Sequence, residues 1–185
     1  MTFRSGILLA AFTLALLHRA VGELDRFQSS SNSALEALSI LPPEYQQYVV
    51  KVSADNGTPN PPQWYVLAYR GSPDEGLFTI TVANGEVVQE KPSLNVGELF
   101  RNPSPIAVER MRIDSTAAFE IAEQFSEANN KRLQSVSYVL QQRGEDSAPV
   151  WKVWCYDRAG NYFGYLEIAA TNGGVISSEG LPNAP

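Results

Sequence analysis

Beyond residue 48 the hydrophobic positions come in short runs separated by turn residues, the pattern of an antiparallel β protein. Residues 48–54, 64–70 and 77–82, the last continued through Val87-Val88, read as strands in the first half. Residues 136–141, 150–156 and 162–169, continued at Val175-Ile176, read as strands in the second. Asp55-Asn56-Gly57, residues 72–76 and Asn84-Gly85 supply turn chemistry between the first set. Helical periodicity occurs only twice. Residues 34–40 form a short candidate, stopped by Pro42-Pro43. Asp114 can cap a longer helix to about Ala128, with Ala118, Ile121, Ala122 and Phe125 along one apolar face. Glu120, Glu123 and Glu127 fall off that stripe and read as a solvated face.

The same phrase is written twice. "PPQWYVLAYR" begins at Pro61 and "APVWKVWCYD" at Ala148, and Trp64, Val66 and Tyr69 match Trp151, Val153 and Tyr156 at one constant offset. Asn84-Gly85 matches Asn172-Gly173 after one inserted residue, which a hairpin loop absorbs without disturbing strand pairing. Duplication follows, with the boundary at Asn102-Pro103-Ser104-Pro105, where two close prolines exclude a regular element. The expected architecture is α+β: two tandem helix-plus-antiparallel-sheet repeats over residues 23–101 and 102–185, the first with a degraded helix.

Side chains alternate along a strand, so each repeated strand offers two faces. Trp64, Val66 and Ala68 match Trp151, Val153 and Cys155, a small or apolar set suited to packing under a helix. Cys155, standing where the first copy has Ala68, reads as a small core residue. The other face carries Tyr65, Leu67 and Tyr69, matched by Lys152, Trp154 and Tyr156. Three accounts of these aromatics stay open. The halves pack together through them, or the Leu181-Pro182 tail covers them, or they form a partner surface. On the last account the binding face is Tyr65, Leu67, Tyr69, Trp154 and Tyr156, since Tyr and Trp dominate binding hot spots.

The chain starts with Arg4, an apolar run over residues 7–17 and the small residues Ala20-Val21-Gly22, the plan of a secretory signal peptide over residues 1–22. His18 and Arg19 interrupt the apolar run short of the ~20 residues a membrane span needs. The expectation is an exported protein, periplasmic or extracellular, that starts at Glu23 and keeps no membrane span. Cleavage would also remove His18, the one histidine in the sequence. Ser-His-Asp and Cys-His nucleophile systems and His-ligated metal sites then drop out. The net charge is −6, and losing Arg4 and Arg19 makes it two charges more acidic. With no Lys/Arg cluster, a nucleic-acid surface is not expected. One cysteine gives no disulfide framework. Asn56-Gly57-Thr58 fits a glycosylation pattern and reads better as an Asn-Gly turn. No cofactor or metal is expected; Asp157 and Asn161 offer oxygen ligands for calcium without a full loop pattern.

The stretches "STAAFEIAEQFSEANN", "VSYVLQQR", "PVWKVWCYD" and "YFGYLEIAATNGGVI" resemble the PepSY-like family: an Ala-rich helix, three strands, and a closing strand that ends in a "VDAxTGxV"-type turn. The usual Asp of that turn is missing from both copies, and the first half lacks the long helix. The tandem plan is similar in outline to the β-lactamase-inhibitor-protein fold. The resemblance implies an exported, non-enzymatic binding or inhibitory module acting on another exported or envelope protein, a peptidase among the options. The alternatives are a structural component of an envelope assembly and a carboxylate-based enzyme using Asp55 or Asp157.

Overall fold

The computed structural model describes residues 32–93, 104–142, 144 and 146–181. The signal segment 1–22 and the first part of the proposed boundary lie outside them. In the first half, α1 (Ala34–Ser39) starts at Ser33, whose hydroxyl accepts from the Glu36 amide at 3.3 Å. Pro42 follows α1, and Pro43 opens the one-turn α2 (Pro43–Gln46), where its missing N–H costs nothing. The strands are β1 (Val49–Gly57), β2 (Trp64–Tyr69), β3 (Leu77–Ala83) and β4 (Glu86–Pro92). The second half has α3 (Ser115–Ala128) and then β5 (Ser135–Gln141), β6 (Val150–Tyr156), β7 (Tyr162–Ala169) and β8 (Val175–Glu179).

The eight strands form one antiparallel sheet in the order β4-β3-β2-β1-β5-β6-β7-β8. This corrects the expected fold class. Two helix-plus-sheet repeats would give two sheets, whereas the first strands of the two meanders pair with each other. Val52 lies opposite Leu140, Ser53 opposite Val139 and Ala54 opposite Tyr138. A separate meander would leave β1 and β5 as edges with unpaired backbone groups, and pairing them satisfies both. Helix is the minor component, since α1 has six residues, α2 four and α3 fourteen. The Asn84-Gly85 turn also separates two strands rather than interrupting one. The same holds before β8, so each half contributes four strands.

The outer strands share a device. Thr81 pairs with Gln89 and Val82 with Val87, so Val88 has no partner residue. Glu167 pairs with Ser177 and Ile168 with Val175, so Ile176 has none either. These two bulged residues are 56% and 57% exposed. A bulge twists an edge strand away from further pairing, one way native sheets protect their edges.

The three described α-helices lie over the sheet's apolar face, α1 and α2 against β2 and α3 against β6. Ala118 and Ala122 let α3 sit close to the strands, and Phe125 fills the last turn. At the centre, the Trp64, Tyr138 and Trp151 rings pack with centroids 5.6–6.4 Å apart. Their polar atoms are all bonded. The Trp64 indole donates to Asn32 O and the Trp151 indole to Ile113 O, both at 2.9 Å, while Tyr138 donates to Pro59 O at 2.9 Å. Asn32 and Ile113 each directly precede a helix cap, so the matched tryptophans anchor matched helix starts. The two helix N-termini meet. Asp114 Oδ1 accepts from its own Ser115 amide at 2.7 Å and from the Leu35 amide of α1 at 3.1 Å. Ser115 Oγ accepts from the Ala34 amide at 3.1 Å. One carboxylate therefore serves two helix starts, where partial positive charge accumulates.

Candidate functional site

The face opposite the helices carries no described element over it. Its central rows follow from register. Ser53 on β1 lies between Tyr65 on β2 and Val139 on β5, and Val139 lies opposite Lys152. One row along, Ser137 on β5 lies opposite Trp154, which lies opposite Tyr165. The two central strands thus present serines where their outer neighbours present large rings. With neighbouring strands ~4.8 Å apart, Tyr65 and Trp154 stand on strands separated by about 14 Å. The result is an open groove of about 360 Å³ along the β1–β5 seam. Lys51, Ser53, Asp55, Ser137 and Val139 line it, bordered by Tyr65, Trp154 and Tyr156.

The register of β1 against β5 breaks between Ala54 and Gly57, with Asn56 at φ 59°. Asparagine tolerates this left-handed conformation better than other side-chain-bearing residues. The irregularity leaves Asp55 and Asn56 exposed at one end of the groove. The Asn-Gly turn expected at residues 56–57 is therefore part of a bulged strand.

The rings on the β6 side are braced from β7. Trp154 and Tyr165 have centroids 5.2 Å apart, Tyr156 and Tyr162 6.2 Å. Beneath Tyr165, Glu167 is fully engaged. It accepts from Tyr165 Oη at 2.7 Å and Ser177 Oγ at 3.1 Å, with Lys152 Nζ 3.9 Å away. Tyr65, 38% exposed, borders the groove from the other side, and Gln63 Nε2 donates to its hydroxyl.

Of the five residues expected on a binding face, Tyr65, Trp154 and Tyr156 come together here. Leu67 and Tyr69 share their side of β2 but lie outside the groove. Leu67 sits between Lys51 and Thr79, and Tyr69 lies at the strand end opposite the buried Leu77. Burial raises the Tyr69 phenol above its ordinary pKa. Asp55, expected only as a candidate of the carboxylate-enzyme alternative, also lines the groove, and the groove residues that sequence reasoning missed are Lys51, Ser53, Ser137 and Val139. Their signal was strand parity, which is informative only once β1 and β5 are known to be neighbours. One of the three accounts of the aromatics falls, and of the tail named in the second only Leu181 is among the described residues. The halves join edge to edge rather than through these rings. Leu181 turns to the covered side, where a Cβ on Gly164 (the partner of Cys155) would lie 2.6 Å from its Cγ.

Other candidate groups have local explanations. Cys155 is fully buried, and burial pushes its thiol up to about 12. Asp157 accepts from the Asn161 amide at 2.9 Å, Asn161 Nδ2 at 3.2 Å and the Ala159 amide at 2.8 Å. These bonds, those of Asn161 foremost, hold its carboxyl below the usual range. Among the described residues no group of three or more His, Cys, Asp or Glu is placed to hold a metal ion. Glu123 and Glu127 line a second, larger depression of about 630 Å³ with Lys131, Arg132 and Arg158. No described helix is long and apolar enough to cross a membrane.

No family model matches the chain, and no curated protein does. Its fold is similar to the crystal structure of a "putative lipoprotein" from Clostridium difficile 630. The TM-score is 0.55 at 16% identity, over 83% of this chain and 95% of that one. At that identity the likeness concerns the fold alone.

Proposed function

We propose that this protein is a non-enzymatic binding or inhibitory module of the exported fraction, acting through protein–protein contact at the seam groove. The observation that carries the reading is the groove itself: Tyr65, Trp154 and Tyr156 around two serines, on a sheet face that no described element covers. Large rings bordering a concave, half-exposed surface are the usual make-up of an interface centre. The signal-like start at residues 1–22 supports export, and the name of the Clostridium difficile neighbour is compatible with an envelope setting. The PepSY-like motifs support binding or inhibition, a peptidase being one class of target. The test is capture from the native exported fraction with wild type, Trp154→Ala, Tyr65→Ala and the outer-face control Glu120→Ala. The reading expects one stoichiometric protein retained by wild type and control and lost by both groove variants, with melting temperatures nearly equal. Retention by both groove variants would overturn it.

A further inference from the structure

The groove has a chemical polarity of its own. Asp55 stands at the bulged end, exposed, and among the described residues no hydrogen bond or ion pair engages its carboxylate. Glu167, the carboxylate on the neighbouring part of this face, is already held by Tyr165, Ser177 and Lys152. Asp55 thus places an unneutralised negative charge beside aromatic rings, whose faces attract cations through their quadrupoles. Tyr165 and Tyr162 occupy the β7 side of Trp154 and Tyr156, which leaves the groove side of both rings to a ligand. Lys51 lines the same groove four residues along β1, about 13 Å from Asp55 in an extended strand. A cation is repelled from that end and drawn to the bulge. The net charge of −6 adds a long-range attraction for basic partners.

We infer that the groove receives an arginine side chain of its protein partner, stacked on the Trp154 and Tyr156 rings, with Tyr65 across the groove and Asp55 as counter-ion. The inference rests on the groove being a binding surface. Arginine suits it better than lysine, because a planar guanidinium stacks on rings and pairs with a carboxylate through two parallel hydrogen bonds.

The probe is the peptide Ac-Val-Arg-Val-NH2, titrated against its citrulline counterpart, which keeps the shape and loses the charge. Trp64 and Trp151 are fully buried, so Trp154 is the tryptophan whose emission a groove ligand alters. The expected result is a saturable emission change with the arginine peptide and at least tenfold weaker binding of the citrulline peptide. Asp55→Asn, a change at an exposed position, should bring the arginine peptide down to the citrulline level. Equal binding of the two peptides, an arginine preference that survives Asp55→Asn, or no saturable response to the arginine peptide would each overturn the inference. If both peptides bind equally and Tyr65→Ala, which keeps the Trp154 reporter, abolishes both, the cation site is refuted while the groove remains a binding surface. Partner capture by the Trp154→Ala variant reads that surface independently of charge.

Discussion

Trp151 and Trp154 stand three positions apart on β6 and face opposite sides of the sheet. Trp151 is fully buried, packs against Trp64 and Tyr138, and donates its indole hydrogen to Ile113 O. Trp154 is half-buried, touches Tyr165 on one flank and borders the groove on the other. The residue type is the same, and the neighbours differ. On the covered face the positions across the central strands are Val52, Leu140 and Val66, with helices above them. On the open face they are Ser53 and Ser137, with no described element above. A tryptophan's role here is set by strand parity and by the size of what its cross-strand neighbours leave free.

The widest expected difference between the faces is chemical. With its thiol pushed up to about 12 by burial, Cys155 carries far less thiolate at pH 8 than an ordinary exposed thiol. A disulfide reagent should leave the native protein unmodified and label it promptly in denaturant. Prompt labelling of the native state would mean that the covered face opens. Next comes Trp151→Ala, which removes the centre of the ring cluster and leaves Ile113 O without its donor. Urea denaturation should show a loss of about 3–5 kcal/mol, as large-to-small core changes do. Asp114→Ala removes the acceptor at two helix starts and should cost about 2 kcal/mol. Asp114→Asn keeps an acceptor and should recover part of that. Equal losses would mean that charge, not hydrogen bonding, holds the two helix starts together. The smallest effect belongs to Trp154→Ala, about 1 kcal/mol or less, because the ring gives up one aromatic contact. A loss matching that of Trp151→Ala would erase the distinction between the faces.

Much of the covered side was legible in the sequence. The Trp-x-Val phrase located β2 and β6, Asp114 marked the helix start, and the Asn-Gly pairs at residues 84 and 172 marked the hairpin turns. These are local signals: periodicity, capping and turn chemistry. The central pairing of β1 with β5 was not legible. It joins residues far apart in the chain, and nothing in "KVSA" or "VSYVL" names the other as partner. Taking the halves as separate sheets followed from that gap. The groove shared its fate, since Ser53 and Ser137 are unremarkable residues until the seam makes them neighbours. Strand β4 was hidden for another reason: six of its seven residues are exposed, so it shows no apolar alternation.

The central claim is that the aromatic side of the sheet lies open in the folded protein. Acrylamide quenching of full-length wild type against Trp154→Phe tests it most directly, because Trp64 and Trp151 are fully buried. The account predicts that wild type shows a readily quenched fraction of tryptophan emission and that Trp154→Phe removes nearly all of it. Weak quenching of wild type, unchanged in Trp154→Phe, would show Trp154 to be covered and would contradict the account.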